Sequence, residues 1–211
     1  MSEVERPLPK SPSPAARAAG ARWRWLALGA STGGPAALRE LLAQLAAPLP
    51  LRVVIVQHIA HGRELELADW LAVELGLDVR IVLDGERPRS GSVRIAPGGA
   101  HLRVGGDERL ALDRKTAPRA GHRPSVDELF LSLAVAAPRA TAAVLLTGMG
   151  SDGAEGLAAL RRAGAFCLAQ DEASAAISGM PRAARELDAA ELALPPGALG
   201  RELARRLAQQ A

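Results

Sequence analysis

Short apolar runs alternate along the chain with longer stretches in which apolar residues recur every three or four positions. The run LRVVIV at 51–56 is almost wholly apolar, which is typical of a strand buried on both faces of a sheet. The stretch at 35–45 carries leucines at helical spacing behind a proline, and proline suits the first turn of a helix. The same reasoning predicts strands at 25–28, 51–56, 79–83, 93–96, 142–147 and 165–169, and helices at 35–45, 64–75, 125–136, 154–162, 181–187 and 196–208.

This alternation predicts an α/β fold, a three-layer, doubly wound, mostly parallel sheet with helices on both faces. Two short apolar segments at 101–104 and 109–112 flank a pair of glycines and predict a short β-hairpin insertion. Residues 1–22 are rich in Pro, Ser and charge, so we expect a disordered tail or linker remnant there and one domain over 23–211. Ligands bind such sheets beyond the carboxyl ends of the strands, so the residues after each strand are the functional candidates.

Composition excludes several classes of protein. Hydrophobic residues make up 48 % of the chain but aromatic residues only 2 %, so a core is expected and an aromatic platform for single-stranded nucleic acid is not. The formal charge of +3 is mild and does not by itself indicate a nucleic-acid partner. No apolar run approaches the ~20 residues of a membrane-spanning helix, and the single cysteine, Cys167, permits no internal disulfide framework. We therefore expect a cytoplasmic protein without membrane insertion.

Three predicted strands are followed by residues with distinctive chemistry. Ser31 lies in GASTGGP, His58 follows LRVVIVQ, and Asp152 lies in TGMGSDG. A serine hydroxyl becomes a nucleophile when a histidine takes its proton, and an aspartate orients that histidine. The glycines around Ser31 allow a tight turn, and the helix that follows offers free N–H groups to an oxyanion. The order Ser, His, Asp differs from the Ser, Asp, His order of α/β-hydrolases.

These residues lie in segments that resemble the catalytic domain of CheB-type protein-glutamate methylesterases of bacterial chemotaxis. The resemblance covers nearly everything from residue 26 to about 187, and several of its segments are long and specific. The matching segments are LGASTGGP (28–35), VQHI (56–59), DGERPRSGSVRIAPGGAHL (84–102), HRPSVDELF (122–130), LLTGMGSDGAEGLAALRRAGA (145–165) and AQDEASAAISGMPRAA (169–184).

The resemblance implies a serine hydrolase that removes methyl esters from glutamate side chains of chemoreceptors, with deamidation of receptor glutamines as a second activity. It implies no cofactor and no metal, and its partner is the cytoplasmic domain of a methyl-accepting chemoreceptor. The catalytic serine, histidine and aspartate of the family fall on Ser31, His58 and Asp152. The oxyanion hole and site wall fall on Thr32, Gly33 and Met149.

The chain departs from the family pattern in three places, one of which is the C-terminal stretch 201–206, a plain amphipathic helix without a receptor-tethering signature. Typical members carry an N-terminal receiver domain, and the residues before the catalytic part are too few for one. We therefore expect activity without phosphorylation, with a separate receiver protein acting in trans as the alternative. After His58 the usual Pro- and Phe-containing loop is replaced by AHGRE at 60–64. This change makes Arg63, together with Arg123 of the HRPSVD segment, a candidate substrate-binding residue.

Each candidate also has a plainer interpretation. Ser31 could serve only as the cap of the helix that follows it, and His61 could replace His58 as the base. Asp152 could cap the next helix. The segment 122–127 could be a site wall or merely a loop and helix cap. Two more histidines are expected to be structural or rim residues: His101 and His122.

One alternative belongs to a different class of protein. Gly148, Gly150 and Gly153 match the G-x-G-x-x-G fingerprint, and Asp171 follows the next strand, as in an NAD-binding Rossmann-type protein. A carboxylate at Asp152 inside that loop would repel a pyrophosphate, and this alternative leaves the serine and histidine strand ends unexplained. A catalytically silent receptor-binding module is a third interpretation, against which the intact Ser, His and Asp argue.

Overall fold

A computed structural model describes residues 22–45 and 49–210 of the chain. This part contains nine strands, six α-helices and one 3₁₀ turn, Pro138–Ala140. The strands are β1 Trp25–Ala30, β2 Arg52–Gln57, β3 Asp78–Ile81, β4 Ser92–Ile95, β5 His101–Val104, β6 Leu110–Asp113, β7 Thr141–Leu145, β8 Phe166–Gln170 and β9 Leu192–Leu194. The helices are α1 Gly34–Leu42, α2 Glu64–Leu75, α3 Val126–Ala136, α4 Ala154–Arg162, α5 Gly179–Glu186 and α6 Pro196–Ala208.

Seven of the strands form one parallel sheet in the order β3-β4-β2-β1-β7-β8-β9. The chain leaves β1 toward β2 on one side and later builds outward from β7 on the other, so the strand order reverses beside β1. In doubly wound sheets this switch point opens the crevice in which ligands bind. Strands β5 and β6 form the predicted hairpin as a separate antiparallel sheet.

The strand register brings the functional candidates to one level. Ala30, the last residue of β1, pairs with Gln57, the last residue of β2. Ser31 and His58 therefore leave the sheet side by side at its carboxyl edge. On the other side of β1, Gly29 pairs with Leu145 of β7, and the loop that follows β7 carries Asp152 to the same edge.

Both faces of the sheet are covered, as the three-layer prediction requires. Along β1 the side chains alternate between the two cores, with Leu26 and Leu28 on one face and Trp25 and Ala27 on the other. The first face packs against buried leucines of α1, α2 and α6. The second face packs against α3, α4, α5 and the hairpin. Because every strand residue of β1 is buried, its sequence is a continuous apolar run and not an alternating one.

Some element boundaries differ from those predicted. Helix α1 ends at Leu42 and not at 45, because Gln44 and Leu45 donate to carbonyls three residues back, as the tightened last turn of a helix does. Helix α5 begins at Gly179, two residues before Pro181, since a proline in the first turn lacks only an N–H that has no helical partner. Strand β9 was not predicted, because three residues are too few to show a period.

The predicted tail, 1–22, lies outside the described residues except for its last position. Within the described part of the chain the longest helix, α6, has 13 residues, and none is long and apolar enough to cross a membrane.

Candidate active site

The turn after β1 holds Ser31 by its backbone and leaves its hydroxyl free. The Ser31 N–H donates to the Thr147 carbonyl at 2.9 Å, and the Ser31 carbonyl accepts from Gln57 Nε2 at 2.7 Å. Among the described residues, Ser31 Oγ has no hydrogen-bond partner. Gly33, with φ of 80°, occupies the cap position of α1, and no side chain caps that helix. The alternative in which Ser31 serves as a helix cap therefore has no support in the geometry.

Glycine at 148 lets the loop after β7 lie against the Ser31 turn. A Cβ at Gly148 would stand 2.6 Å from Ser31 Cβ, closer than real Cβ contacts come. The Thr147 hydroxyl donates to the Thr32 carbonyl at 2.9 Å and accepts from the Ile177 N–H at 3.0 Å. Three segments are thus joined behind the serine, which fixes the position of its Cβ.

Asp152 is buried, with 2 % of its surface exposed, and four donors occupy its carboxylate. His58 Nε2 lies 2.8 Å from Oδ2, and Ser125 Oγ lies 2.7 Å from Oδ1. The first turn of α3 supplies the other two, the N–H groups of Val126 at 2.8 Å and Asp127 at 3.1 Å. Burial alone would raise the pKa of Asp152, but the hydrogen bonds from His58, Ser125 and the α3 backbone lower it to about 2. Asp152 is therefore an anion that caps α3.

The contact with Asp152 sets the tautomer of His58. An ionised carboxylate only accepts hydrogen bonds, so His58 Nε2 carries the proton and donates it. The other ring nitrogen, Nδ1, is buried and has no hydrogen-bond partner among the described residues. Its lone pair is therefore free to accept a proton at the edge where Ser31 lies. The His58 backbone N–H donates to the Ala30 carbonyl at 2.9 Å, which keeps the two strand ends in register.

A second imidazole lies on the first. The rings of His122 and His58 stack with centroids 3.8 Å apart and planes 4° from parallel. Burial and the neighbouring His58 lower the pKa of His122, while the Asp152 charge acts in the opposite direction. The sequence predicted His122 to be a structural or rim residue, within a segment that could form a site wall. A stack between residues 64 positions apart in the chain leaves no mark in any local pattern.

The candidate oxyanion and wall residues lie around the Ser31 turn. Thr32 and Gly33 form the turn itself, and Met149 lies in the loop that contacts it, with 67 % of its surface exposed. In the described part of the chain the backbone N–H groups of Thr32 and Met149 have no hydrogen-bond partner. Free N–H groups beside a nucleophile can stabilise a developing oxyanion.

A pocket of about 420 Å³ opens beside His58. Arg123 lines it, but Arg63 does not. Arg63 stands at the start of α2, exposed, and pairs with Glu66 at 2.7 Å. His61 lies at the rim with its side chain 83 % exposed, and it lies 3.7 Å from the Glu64 carboxylate. Since Asp152 contacts His58 and not His61, the geometry favours His58 as the base. The substrate-binding role of Arg63 stays a prediction from the sequence.

The chain also matches a known protein family. The family model described as CheB methylesterase matches residues 26–203. The chain belongs to this family.

Several members of the CheB methylesterase family are similar over most of this chain. Two proteins of Anaeromyxobacter dehalogenans (strain 2CP-C), named protein-glutamate methylesterase/protein-glutamine glutaminase 3 and 2, are 45 % and 48 % identical over 95 % and 90 % of the chain. The matches cover 60 % and 55 % of those two proteins, so the chain spans a little over half of their length. The crystal structure of the Thermotoga maritima CheB methylesterase catalytic domain matches with a TM-score of 0.81 at 32 % identity. That match covers 87 % of this chain and 98 % of the other, and it confirms the predicted fold class.

The family assignment does not favour the dinucleotide-binding alternative, and the loop itself explains why. Asp152, inside the glycine-rich segment, is directed at His58 and the start of α3, so its charge serves the histidine. Asp171, the acid proposed for a ribose, accepts from the Ser174 N–H at 2.9 Å and caps a local turn. Among the described residues no group of three or more His, Cys, Asp or Glu could hold a metal ion.

Proposed function

We propose that this CheB methylesterase family protein hydrolyses the γ-methyl esters of glutamate side chains in chemoreceptors, and that it also deamidates receptor glutamines. The observation that carries the proposal is the buried Asp152–His58 pair at the sheet edge where Ser31 has an unbonded hydroxyl. The names of the relatives support the choice of substrate.

The proposed reaction begins with attack of Ser31 Oγ on the ester carbonyl as His58 Nδ1 takes the hydroxyl proton. The carbonyl oxygen becomes an oxyanion, for which the free N–H groups of Thr32 and Met149 are the candidate donors. The tetrahedral intermediate collapses, the bond to the methoxy group breaks, and His58 returns its proton so that methanol leaves. Water then attacks the acyl-serine by the same route and releases the glutamate. With a glutamine substrate the leaving group is ammonia.

Asp152 contributes by holding charge and orientation, because the imidazolium formed at His58 lies 2.8 Å from a carboxylate that stays ionised down to a pH of about 2. The chemistry proposed needs no cofactor, since a nucleophile, a base and oxyanion donors are all supplied by the chain.

The proposed partner is the cytoplasmic domain of a methyl-accepting chemoreceptor, and the proposed compartment is the cytoplasm, where the Cys167 thiol stays reduced. A separate receiver protein acting in trans stays a prediction from the sequence.

The test is release of methanol by the purified chain from a methylated chemoreceptor cytoplasmic fragment. We expect release that follows enzyme concentration, with demethylation of glutamate in the fragment confirmed by mass spectrometry. A folded chain that releases no methanol would contradict the proposal. Calorimetry with NAD(H) in parallel should give no binding at micromolar concentrations.

A further inference from the structure

The pocket beside His58 is lined by residues that do not belong to the Ser31 turn. Its lining includes His58, His122, Arg123 and Glu64. Its volume of about 420 Å³ lies within the range of small-ligand sites in proteins. A substrate side chain other than the one attacked by Ser31 can therefore enter it.

Arg123 lines this pocket without an acidic partner. In the described part of the chain, its guanidinium makes two hydrogen bonds, both from Nη1 to backbone carbonyls, of Arg114 and Thr116 at 3.2 Å. Its Nε is buried and has no partner. Arg119, only four residues earlier, contacts three carboxylates within 3.5 Å. Acids of α3 and α4 therefore pair with Arg119, whereas none of the described acids pairs with Arg123.

The acid that lines the pocket does not satisfy Arg123. Both carboxylate oxygens of Glu64 accept backbone N–H groups at 2.7 Å, one from Gly62 and one from Gly98. Glu64 thereby ties the loop 58–64 to the loop after β4 and keeps its oxygens occupied. Of the imidazoles that line the pocket, those of His61 and His122 can donate a hydrogen bond to an anion, whereas the N–H of His58 is directed at Asp152.

We propose that this pocket binds a carboxylate of the substrate, an Asp or Glu side chain near the methyl ester, and that Arg123 is the residue that selects it. Arg123 is half-buried, and its guanidinium, which pairs with no acid among the described residues, gains a charge-assisted hydrogen bond when a carboxylate arrives. Arginine suits such planar recognition better than lysine. A basic side chain at the same place would be repelled. This inference rests on the proposed function and specifies its substrate as an acidic segment.

The test compares helical peptides that carry a single glutamyl γ-methyl ester and differ only in the flanking residues, which are Glu, Gln or Lys. The wild-type chain should cleave the Glu-flanked peptide with a kcat/KM about tenfold above the Gln-flanked one, as one charged hydrogen bond provides, and the Lys-flanked peptide most slowly. Arg123→Gln should remove the preference, with a larger change in KM than in kcat. Arg123→Glu should reverse the order of the Glu- and Lys-flanked peptides.

Arg114→Gln is the matched control, because Arg114 is an exposed arginine of the same loop that does not line the pocket. It should keep the full preference. Wild type without a preference, Arg123→Gln with the preference intact, or Arg114→Gln with an equal loss would each overturn the proposal. Since Arg123→Gln also loses two loop hydrogen bonds, Arg123→Lys provides a folded variant with the charge retained, and it should keep part of the preference.

A second readout separates this inference from the proposed function. A fluorophosphonate probe phosphonylates an activated serine with loss of fluoride and requires no receptor, so it reports on Ser31 alone. Unesterified peptides should protect Ser31 from the probe at about tenfold lower concentration when they are acidic. Protection without methanol release would contradict the proposed function and leave the pocket assignment intact. Methanol release at equal rates from all peptides would support the proposed function and contradict the pocket assignment.

Discussion

The two ends of the Ser31–His58–Asp152 arrangement are built in opposite ways. At the acidic end every carboxylate oxygen of Asp152 is occupied by donors and the side chain is buried. At the other end Ser31 is held by its backbone while its hydroxyl contacts no described partner. The difference teaches that orientation is fixed where charge must be stabilised, and that the reacting atom is left free for a substrate to complete its surroundings.

The acidic end is held in place because the helices α3 and α4 cap one another. Asp152, which precedes α4, accepts from the first turn of α3, and Asp127, in the first turn of α3, accepts from the Gly156 N–H of α4 at 2.7 Å. Gly156 permits this contact, because a Cβ there would stand 2.9 Å from the Asp127 carbonyl and from Phe130 Cβ. The exchange places two carboxylates on two helix N-termini, where partial positive charge favours them.

Removing the free hydroxyl should have the largest effect on activity. Ser31→Ala should lower methanol release by about 10⁴-fold or more, because the variant lacks the hydroxyl that His58 is proposed to activate. The fold should survive, since the Ser31 side chain makes no hydrogen bond that the variant loses. The measurement is the initial rate, with thermal unfolding as the control, and near wild-type activity of a folded variant would contradict the assignment.

Removing the base should cost about as much. His58→Ala should lower the rate by about 10⁴-fold, and the double variant with Ser31→Ala should be little worse than either single one, because the two residues act as a unit. The measurement compares the fold loss of rate in the double variant with the product of the fold losses in the two single variants. Losses that multiply would show that His58 acts outside the serine's reaction.

Replacing Asp152 with a side chain of the same shape should have an intermediate effect on the rate. Asp152→Asn keeps one oxygen, which can accept from one of the two α3 N–H groups that now donate to separate oxygens. It no longer fixes the tautomer of His58, and a loss of about 10³-fold is expected. Asp171→Asn is the control, because Asp171 follows the neighbouring strand and only caps its own turn. Equal losses in the two variants would argue against a role specific to Asp152.

The second carboxylate of the exchange predicts a pH effect on stability. Burial and the nearby Asp152 and Glu155 charges raise the pKa of Asp127 from 3.8 to about 6, against the opposing effects of the Gly156 hydrogen bond and Arg119. Because the folded state binds this proton more tightly, the contribution of Asp127 to stability is fully present below pH ~3.8 and is lost as pH rises through about 6.

Asp127→Asn does not titrate and keeps an oxygen for Gly156. The free energy of unfolding of the variant relative to wild type should therefore rise between about pH 4 and pH 7, by on the order of 1–3 kcal/mol. Denaturant unfolding at several pH values measures it. A difference that stays constant with pH would show that Asp127 is not the titrating group.

The smallest effect is expected from removing one of the hydrogen-bond donors to Asp152. Ser125→Ala removes one of its four donors and the cap of α3, which should cost about 1 kcal/mol of stability and a few-fold in rate. Since the Asp152 pKa is held down partly by Ser125, this loss of stability should be largest above pH ~4 and should shrink as the pH falls toward about 2. Ser132→Ala, which removes a hydroxyl of the same helix, is the control, and an equal pH dependence of its loss of stability would contradict this account.

The fold class and the position of three candidate residues after strand ends could be predicted from the sequence, because apolar periods and glycine-rich turns are local signals. The order of the strands could not be predicted, because it depends on the crossover connections. Strand β9 could not be predicted either, because it has three residues and pairs along one edge only. Ser125 was visible as a helix cap, but its second role, as a donor to Asp152, depends on how α3 and α4 meet. The His122 stack and the unpaired Arg123 likewise arise only when distant loops pack.

Trapping the acyl intermediate tests the central claim most directly. The chain is mixed with a methyl-esterified receptor peptide, quenched with acid within the first turnover, digested and analysed by mass spectrometry. The account predicts that the peptide containing Ser31 gains the mass of the substrate less methanol, and that the adduct is absent from Ser31→Ala. An adduct on another residue, or methanol release by a folded Ser31→Ala variant, would contradict it.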